Sequence, residues 1–298
     1  MRKIFLICAH QPSKSLSWCV DYLSSFDENT IIIHYDKKSD INQVVSLQKN
    51  NVHFIENRVD VTWGEVTQIQ ATLRLLNFAV KFDFEYCFFL SGDDVPVMSN
   101  DKMNKILTRY SGAEFIHYQD ERNSYVDPYE RCIYRYSNVF FSRKKDVTSK
   151  ILMKYHRITR AIFYKNHQFI KSMRDGIIPK LFKGTNWFAF TSDTASWLIQ
   201  TIEKNPAYLK SFDHTFCADE IFFHSLLKTK KGVKLYHDVT KMNDCLRYID
   251  WKSGPQYPKL LNVNDIDLIK NSNTFFCRKV DESMSESDFT KFKELVID

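Results

Sequence analysis

Three short runs in the chain are apolar almost from end to end: Lys3 to Cys8, Thr30 to His34 and Tyr86 to Leu90. A strand with one face in water alternates apolar and polar side chains. A run without alternation has to be covered on both faces, which is the situation of a parallel strand between helical layers. Ser15 to Ser24 and Glu65 to Lys81 carry apolar residues at helical spacing between the runs, and Val52 to Glu56 reads as a further strand. This strand-helix succession predicts an α/β fold built on a doubly wound, mostly parallel sheet. The second half continues it, with Trp187 to Thr191 and Lys234 to His237 as strands and Thr194 to Glu203 and Asp219 to Lys228 as helices.

No linker interrupts the pattern. Glycine and proline number seven each, and 298 residues that are 44% hydrophobic can fill one large core. The apolar start, Ile4 to Ala9, is short for a secretory segment, and no later stretch approaches the roughly 18 apolar residues of a spanning helix. The expectation is a single domain kept in the cytosol. Seven cysteines lie scattered without Cys-X-X-Cys spacing, which predicts buried reduced thiols rather than a disulfide frame or zinc site.

The net charge of +6 is concentrated in one segment: residues 143–183 hold twelve Lys or Arg against Asp146 and Asp175. The rest of the chain is therefore net negative. Within the segment Ile151, Leu152, Tyr155, Ile158, Ile162 and Phe163 recur at three- and four-residue steps, as on an amphipathic helix whose other face is basic. One reading is a solvated basic face over an ordinary core contact. The other is a surface for anionic lipid or another polyanion. No recognisable nucleic-acid module is present, so nucleic acid is not an expected partner.

Ligands of doubly wound sheets bind at the carboxyl ends of strands, and polar residues fall there. Asp36, Lys37 and Lys38 follow the second apolar run, where Asp36 can take a base or ribose edge, with a lysine near phosphate, or simply make a turn. Asp93-Asp94 follows the Tyr86 to Leu90 run as a degenerate Asp-X-Asp. Adjacent side chains on a turn point apart, so no metal is expected and Asp94 is read as orienting loop or ligand hydrogen bonds. His10, His34 and His224 lack ligand spacing and read as structural.

Asp219-Glu220 opens an apolar helix, where a carboxylate favours the N-terminal dipole. Flanked by aromatics, such a carboxylate is also partly desolvated, which suits a general base. Leu246-Arg247-Tyr248-Ile249-Asp250-Trp251 offers an aromatic suited to stack on a sugar ring. Arg278-Lys279, after Phe275-Phe276-Cys277, is either a solvated doublet or a guanidinium-ammonium pair able to neutralise a diphosphate as a divalent cation would.

These segments carry a resemblance. His34-Tyr35-Asp36-Lys37-Lys38-Ser39, Val61-Thr62-Trp63-Gly64, Leu90-Ser91-Gly92-Asp93-Asp94-Val95-Pro96, Lys183-Gly184-Thr185-Asn186-Trp187-Phe188, Ala218-Asp219-Glu220, Leu246 to Trp251 and Phe275 to Lys279 run in one order along the chain. Together they resemble the core-2/I-branching N-acetylglucosaminyltransferase family, which includes the peptide O-xylosyltransferases, in a compact bacterial-looking form. The resemblance implies a GT-A fold and an inverting, metal-independent transfer from a UDP-sugar to a glycan hydroxyl. It implies a nucleotide-binding half at about 1–115, an acceptor and catalytic half at about 116–281 and a tail at 282–298.

By the same resemblance Glu220 is the general base and Arg278 and Lys279 hold the diphosphate. Asp36, Lys37 and the turn of Val61, Trp63 and Gly64 line the uridine pocket, while Asp94, Trp187, Arg247 and Trp251 sit beside the donor and acceptor sugars. No cofactor beyond the UDP-sugar substrate is implied. Set beside that resemblance, the expectation is a form without the membrane anchor, stem and disulfide cysteines of animal members. The chain also lacks an arginine that core-2 enzymes place upstream of Lys279; Arg278 takes its place, as in the xylosyltransferase pattern, which leaves N-acetylglucosamine and xylose as donor sugars. Two other readings are a metal-dependent transferase using Asp93 or Asp94, and a non-catalytic nucleotide- or sugar-binding protein. The acceptor expected from the basic segment is a lipid-linked or anionic glycan at the inner membrane face, for a bacterial surface polysaccharide.

Overall fold

Strand β1 (Lys3–Ala9) sends Ile4 and Leu6 to one side of a sheet and Phe5 and Ile7 to the other, and all four are buried. The unbroken apolar run is thus explained by two cores, one on each face. The computed structural model describes residues 1–142, 146–255 and 257–297. Arg143, Lys144 and Lys145 of the basic segment lie outside the described residues.

The first half contributes α1 (Lys14–Ser24), β2 (Asn29–Tyr35), β3 (Val52–Phe54), α2 (Val66–Ala79), β4 (Tyr86–Ser91), β5 (Val95–Pro96), α3 (Asn100–Arg109) and β6 (Ala113–Tyr118). Helices α4 (Pro128–Cys132), α5 (Asn138–Phe141), α6 (Val147–Phe163) and α7 (His167–Arg174) follow. Then come β7 (Gly184–Thr191), α8 (Ser192–Lys204), α9 (Pro206–Ser211), α10 (Asp219–Leu227), β8 (Lys234–Leu235), β9 (Arg247–Ile249), α11 (Ile266–Ser272), β10 (Phe276–Arg278) and α12 (Glu286–Val296).

Seven strands form one sheet in the order β3-β2-β1-β4-β7-β6-β8. Strands β3, β2, β1 and β4 run parallel, β7 is antiparallel to both β4 and β6, and β8 is parallel to β6. It is the mostly parallel, helix-flanked α/β sheet expected of a GT-A fold. A second sheet, β5-β10-β9, was not legible as strands. Its strands have two or three residues each, too few for either period to register. It rests on its own core of Trp18, Val95, Tyr248, Ile269 and the α12 residues Phe289 and Phe292.

Helix α6 forms where the periodicity predicts it, but the apolar stripe does not face the core. Ile151, Leu152, Tyr155, Ile158, Ile162 and Phe163 are all exposed, and His156 is the buried residue of the helix. The helix is attached through that imidazole, whose Nε2 donates to the Arg135 carbonyl at 2.8 Å and whose ring lies among Tyr136, Phe140 and Tyr164. No described helix is long and apolar enough to cross a membrane. The seven cysteines are free, and all but Cys8 are buried.

Candidate active site

The carboxyl ends of β1, β2 and β4 open into a chamber of about 480 Å³. Its wall is made of His10, Gln11 and Ser13 after β1, His34, Asp36 and Lys38 at β2, Val61 and Trp63, the Ser91-Gly92-Asp93 turn, and Asn186, Trp187 and Arg278. Asp36 is buried, and its Oδ1 accepts from the backbone N–H of Lys38 at 3.0 Å and of Val61 at 3.4 Å. The carboxylate therefore ties the strand end to the Val61 turn while lining the chamber. His34 Nε2 accepts from the Val59 N–H at 2.8 Å, and burial holds its pKa below the usual imidazole range.

A second chamber of about 740 Å³ adjoins the first, sharing Trp63, Gln68, Asp93, Asn186, Trp187 and Arg278. Glu220, Asp219, Lys183, Lys279 and Trp251 belong to this second chamber alone. Glu220 is the one residue of α10 that is not buried, so the helix presents a single carboxylate to the cavity. Its Oε2 receives Arg131 Nη1 at 2.5 Å and Lys183 Nζ at 3.0 Å. Among the described residues its Oε1 has no hydrogen-bond partner, which leaves one carboxylate oxygen free beside the chamber. The predicted aromatic surround is instead a pair of cations that supply countercharge.

Asp219 beside it is buried, and its Oδ1 is unpartnered. Burial first and the Glu220 charge second push its pKa up to about 7. Lys183 precedes Gly184, where a Cβ would overlap the His117 carbonyl and the His224 ring, so only glycine starts β7 at this point. His224 stays neutral there, its pKa lowered to about 3 by burial.

Arg278 and Lys279 converge on one oxygen: Asp93 Oδ2 lies 3.2 Å from Arg278 Nη2 and 3.2 Å from Lys279 Nζ. The pair is delivered by Phe275 and Phe276, buried against Phe5, Phe88 and Phe115. Arg278 also lies over the Trp187 ring at 4.9 Å, and Arg247 lies 5.3 Å from that ring.

Four expected site residues stand elsewhere. Asp94 is wholly buried rather than beside a sugar: Oδ2 accepts from the Ser91 N–H and hydroxyl, and Oδ1 meets Arg247 Nη1 at 2.5 Å, off the angle of a hydrogen bond. Arg247 is equally buried and donates to the Phe89 carbonyl, so this ion pair underlies Trp187 without lining either chamber. Lys37 is exposed and does not line the first chamber, whereas its neighbour Lys38 does, with Nζ on the Val61 carbonyl. Gly64 lines neither chamber; at φ +80 its carbonyl accepts from the Cys217 N–H at 2.7 Å, joining the Val61 turn to the segment that leads into α10.

Sequence reasoning missed Arg131, which pairs with Glu220 across 89 residues and carries no local signal. It also gave no site role to Lys183, Asn186 or Gln68, and read Asp219 only as part of the carboxylate pair that opens α10. His10 and Gln11 were findable, because they stand at the carboxyl end of β1. Among the described residues one cluster has the size of a metal site, His117, Asp120 and Asp244. It already surrounds a cation: Arg122 Nη2 lies 2.5 Å from Asp120, 2.8 Å from Asp244 and 3.3 Å from His117 Nδ1. Burial pushes Asp244 up, but hydrogen bonds from His117, Arg122 and His237 outweigh it and hold its carboxyl below the usual range.

A family model described as "Branch: Core-2/I-Branching enzyme" matches residues 5–271. The chain is similar to Xylosyltransferase 1 of Rattus norvegicus, 24% identical over 232 residues that make up 74% of this chain and 24% of that protein. It is also similar to Xylosyltransferase sqv-6 of Caenorhabditis briggsae, 21% identical over 246 residues, 78% of this chain and 27% of that protein. The chain thus spans about a quarter of the length of the curated relatives it matches. Among solved structures it resembles mouse xyloside xylosyltransferase 1 in its apo form, with a TM-score of 0.34, 10% identity, and coverage of 80% of this chain and 86% of that one. A 4-diphosphocytidyl-2C-methyl-D-erythritol synthase from Anaerococcus prevotii gives a TM-score of 0.38, 13% identity, and coverage of 79% and 89%.

Proposed function

The chain belongs to the Core-2/I-Branching enzyme family, and we propose that it is an inverting glycosyltransferase that moves N-acetylglucosamine or xylose from a UDP-sugar to a glycan hydroxyl. The observation that carries this reading is that Glu220, Arg278 and Lys279 border one chamber, which adjoins the chamber of Asp36, Val61 and Trp63.

In the proposed step an acceptor hydroxyl attacks the anomeric carbon from the face opposite UDP. The new C–O bond forms as the bond to the β-phosphate oxygen breaks, and the hydroxyl proton passes to Glu220. Arg278 and Lys279 take up the charge that develops on the departing diphosphate. Exposed Trp251 offers a flat apolar face to a sugar ring, and Trp187, buried with Arg247 and Arg278 against its ring, borders the sugar site where the two chambers meet. Metal-independent chemistry is supported by Arg278 and Lys279, which bring to one point the positive charge a metal would supply, and by Asp94, whose carboxylate is committed to Arg247. The acceptor is proposed to be a lipid-linked or anionic glycan of a bacterial surface polysaccharide, met at the cytoplasmic face of the membrane.

The test is a donor screen by UDP release in excess EDTA, since slow hydrolysis of the right donor needs no acceptor. UDP-N-acetylglucosamine or UDP-xylose should release UDP undiminished by the chelator. Release that requires added Mn²⁺ would return the reaction to a metal-dependent route. UDP binding without release from any donor would make the protein a binding module.

A further inference from the structure

The exposed stripe of α6 is too regular to be scattered surface hydrophobicity. Val147, Ile151, Ile158 and Ile162 lie along one line of the helix with Tyr155 beside them, and Ile158 and Ile162 are 72% and 74% exposed. At 100° per residue this line lies nearly opposite the side anchored by His156 and Met153. Lys150, Lys154 and Arg157 fall together on one flank of the stripe. All three are exposed, and among the described residues none has a carboxylate partner. The one arginine of the helix that is paired, Arg160 with Glu130 at 2.8 Å, is on the anchored side.

We infer that α6 lies in the interface of an anionic lipid bilayer, its apolar stripe among the acyl chains and its basic flank on the headgroups. Three observations select this occupant. The stripe is a convex ridge on a single helix, which fits a deformable plane. The flank is purely cationic, which complements phosphate-bearing lipids. A second copy would bring two strongly basic segments against each other.

The location also has a consequence. Helix α5 leads into α6, its Phe140 and Phe141 pack on Phe216, and Phe216 in turn meets Trp63 and the Arg131 guanidinium that holds Glu220. Ser142, directly after α5, lines the chamber of Glu220. A helix resting on the bilayer therefore holds the mouth of that chamber near the lipid surface. Docking follows from the helix alone; the further step, that the acceptor is lipid-borne, rests on the transferase reading above.

The experiment is vesicle co-sedimentation of the full chain, comparing phosphatidylcholine alone with phosphatidylcholine containing phosphatidylglycerol. The wild type should partition onto the anionic vesicles. Combined Lys150→Glu, Lys154→Glu and Arg157→Glu should weaken that partition roughly a hundredfold, and Ile158→Ser with Ile162→Ser about tenfold or more. Both variants alter exposed side chains, so unchanged circular dichroism and unchanged donor hydrolysis in lipid-free buffer serve as the fold control. Equal partition of all three proteins, or none by the wild type, overturns the inference. So does a wild-type dimer that the isoleucine variant converts to monomer, which assigns the stripe to a second copy. Absence of donor hydrolysis with vesicle binding intact would count against the transferase reading and leave the docking standing.

Discussion

Arg278 stands 3.2 Å from Asp93 at the rim shared by the two chambers, and Lys279 reaches the same carboxylate oxygen. In the free protein the two cations proposed to receive a diphosphate are already half neutralised by one carboxylate. A diphosphate has to displace Asp93 or share the cations with it. Asp93→Asn should therefore tighten UDP binding a few-fold, because a partly screened pair of this kind is worth about 1 kcal/mol or less. Isothermal titration of UDP measures it, and a large loss of affinity would instead make Asp93 a ligand contact.

Removing the cations should act in the opposite direction. Arg278→Ala and Lys279→Ala each delete charge-assisted hydrogen bonds to the diphosphate, for a loss of roughly 1.5–3 kcal/mol in UDP binding. Arg278→Lys should recover only part of it, since the planar fork and its stacking on Trp187 are lost. Full recovery by lysine would reduce Arg278 to a point charge.

Glu220→Gln keeps the shape of the carboxylate and abolishes its basicity. UDP affinity should be unchanged while turnover falls by roughly two to four orders of magnitude. Arg131 and Lys183 then face a neutral amide, so a modest loss of stability should accompany it. Turnover near the wild-type rate would remove Glu220 from the chemistry.

The large sheet was readable because β1, β2 and β4 each lack alternation, a signal that survives without knowledge of neighbours. The small sheet was not, since Val95–Pro96, Arg247–Ile249 and Phe276–Arg278 become strands only by pairing across long stretches of chain. Residue type also pointed to the chambers more readily than residue number did. Lys38 lines the first chamber where Lys37 was expected, because neighbouring side chains at a strand end diverge. Asp94 and Arg247 look like ligand contacts in sequence because nothing local reveals that each is buried against the other. For α6 the periodicity located the apolar face but could not tell whether the fold would cover it.

The Asp94–Arg247 pair gives a stability prediction. Arg247→Met leaves a fully buried carboxylate without its cation, which should cost about 3–5 kcal/mol in urea unfolding. Asp94→Asn combined with Arg247→Met should be less damaging than Arg247→Met alone. A double variant as unstable as the sum of both single changes would mean that the two residues are not coupled.

Asp219 supplies a pH dependence with a definite sign. Its folded pKa, raised to about 7 by burial and by Glu220, lies above the ordinary aspartate value of 3.8 that the unfolded chain retains. Between those values the folded state binds more protons than the unfolded one, so the stability Asp219 contributes is fully present below about pH 4 and is lost as pH rises through about 7. Asp219→Asn keeps the size of the side chain and cannot ionise. Relative to the wild type, the variant should gain stability progressively from pH 4 to pH 8, on the order of a few kcal/mol at the upper end. Urea unfolding of both proteins at pH 5 and pH 8 measures this difference. A stability difference that does not change between the two pH values would mean that Asp219 is already ionised in the folded protein, with its unpartnered Oδ1 solvated by a route the buried geometry does not provide.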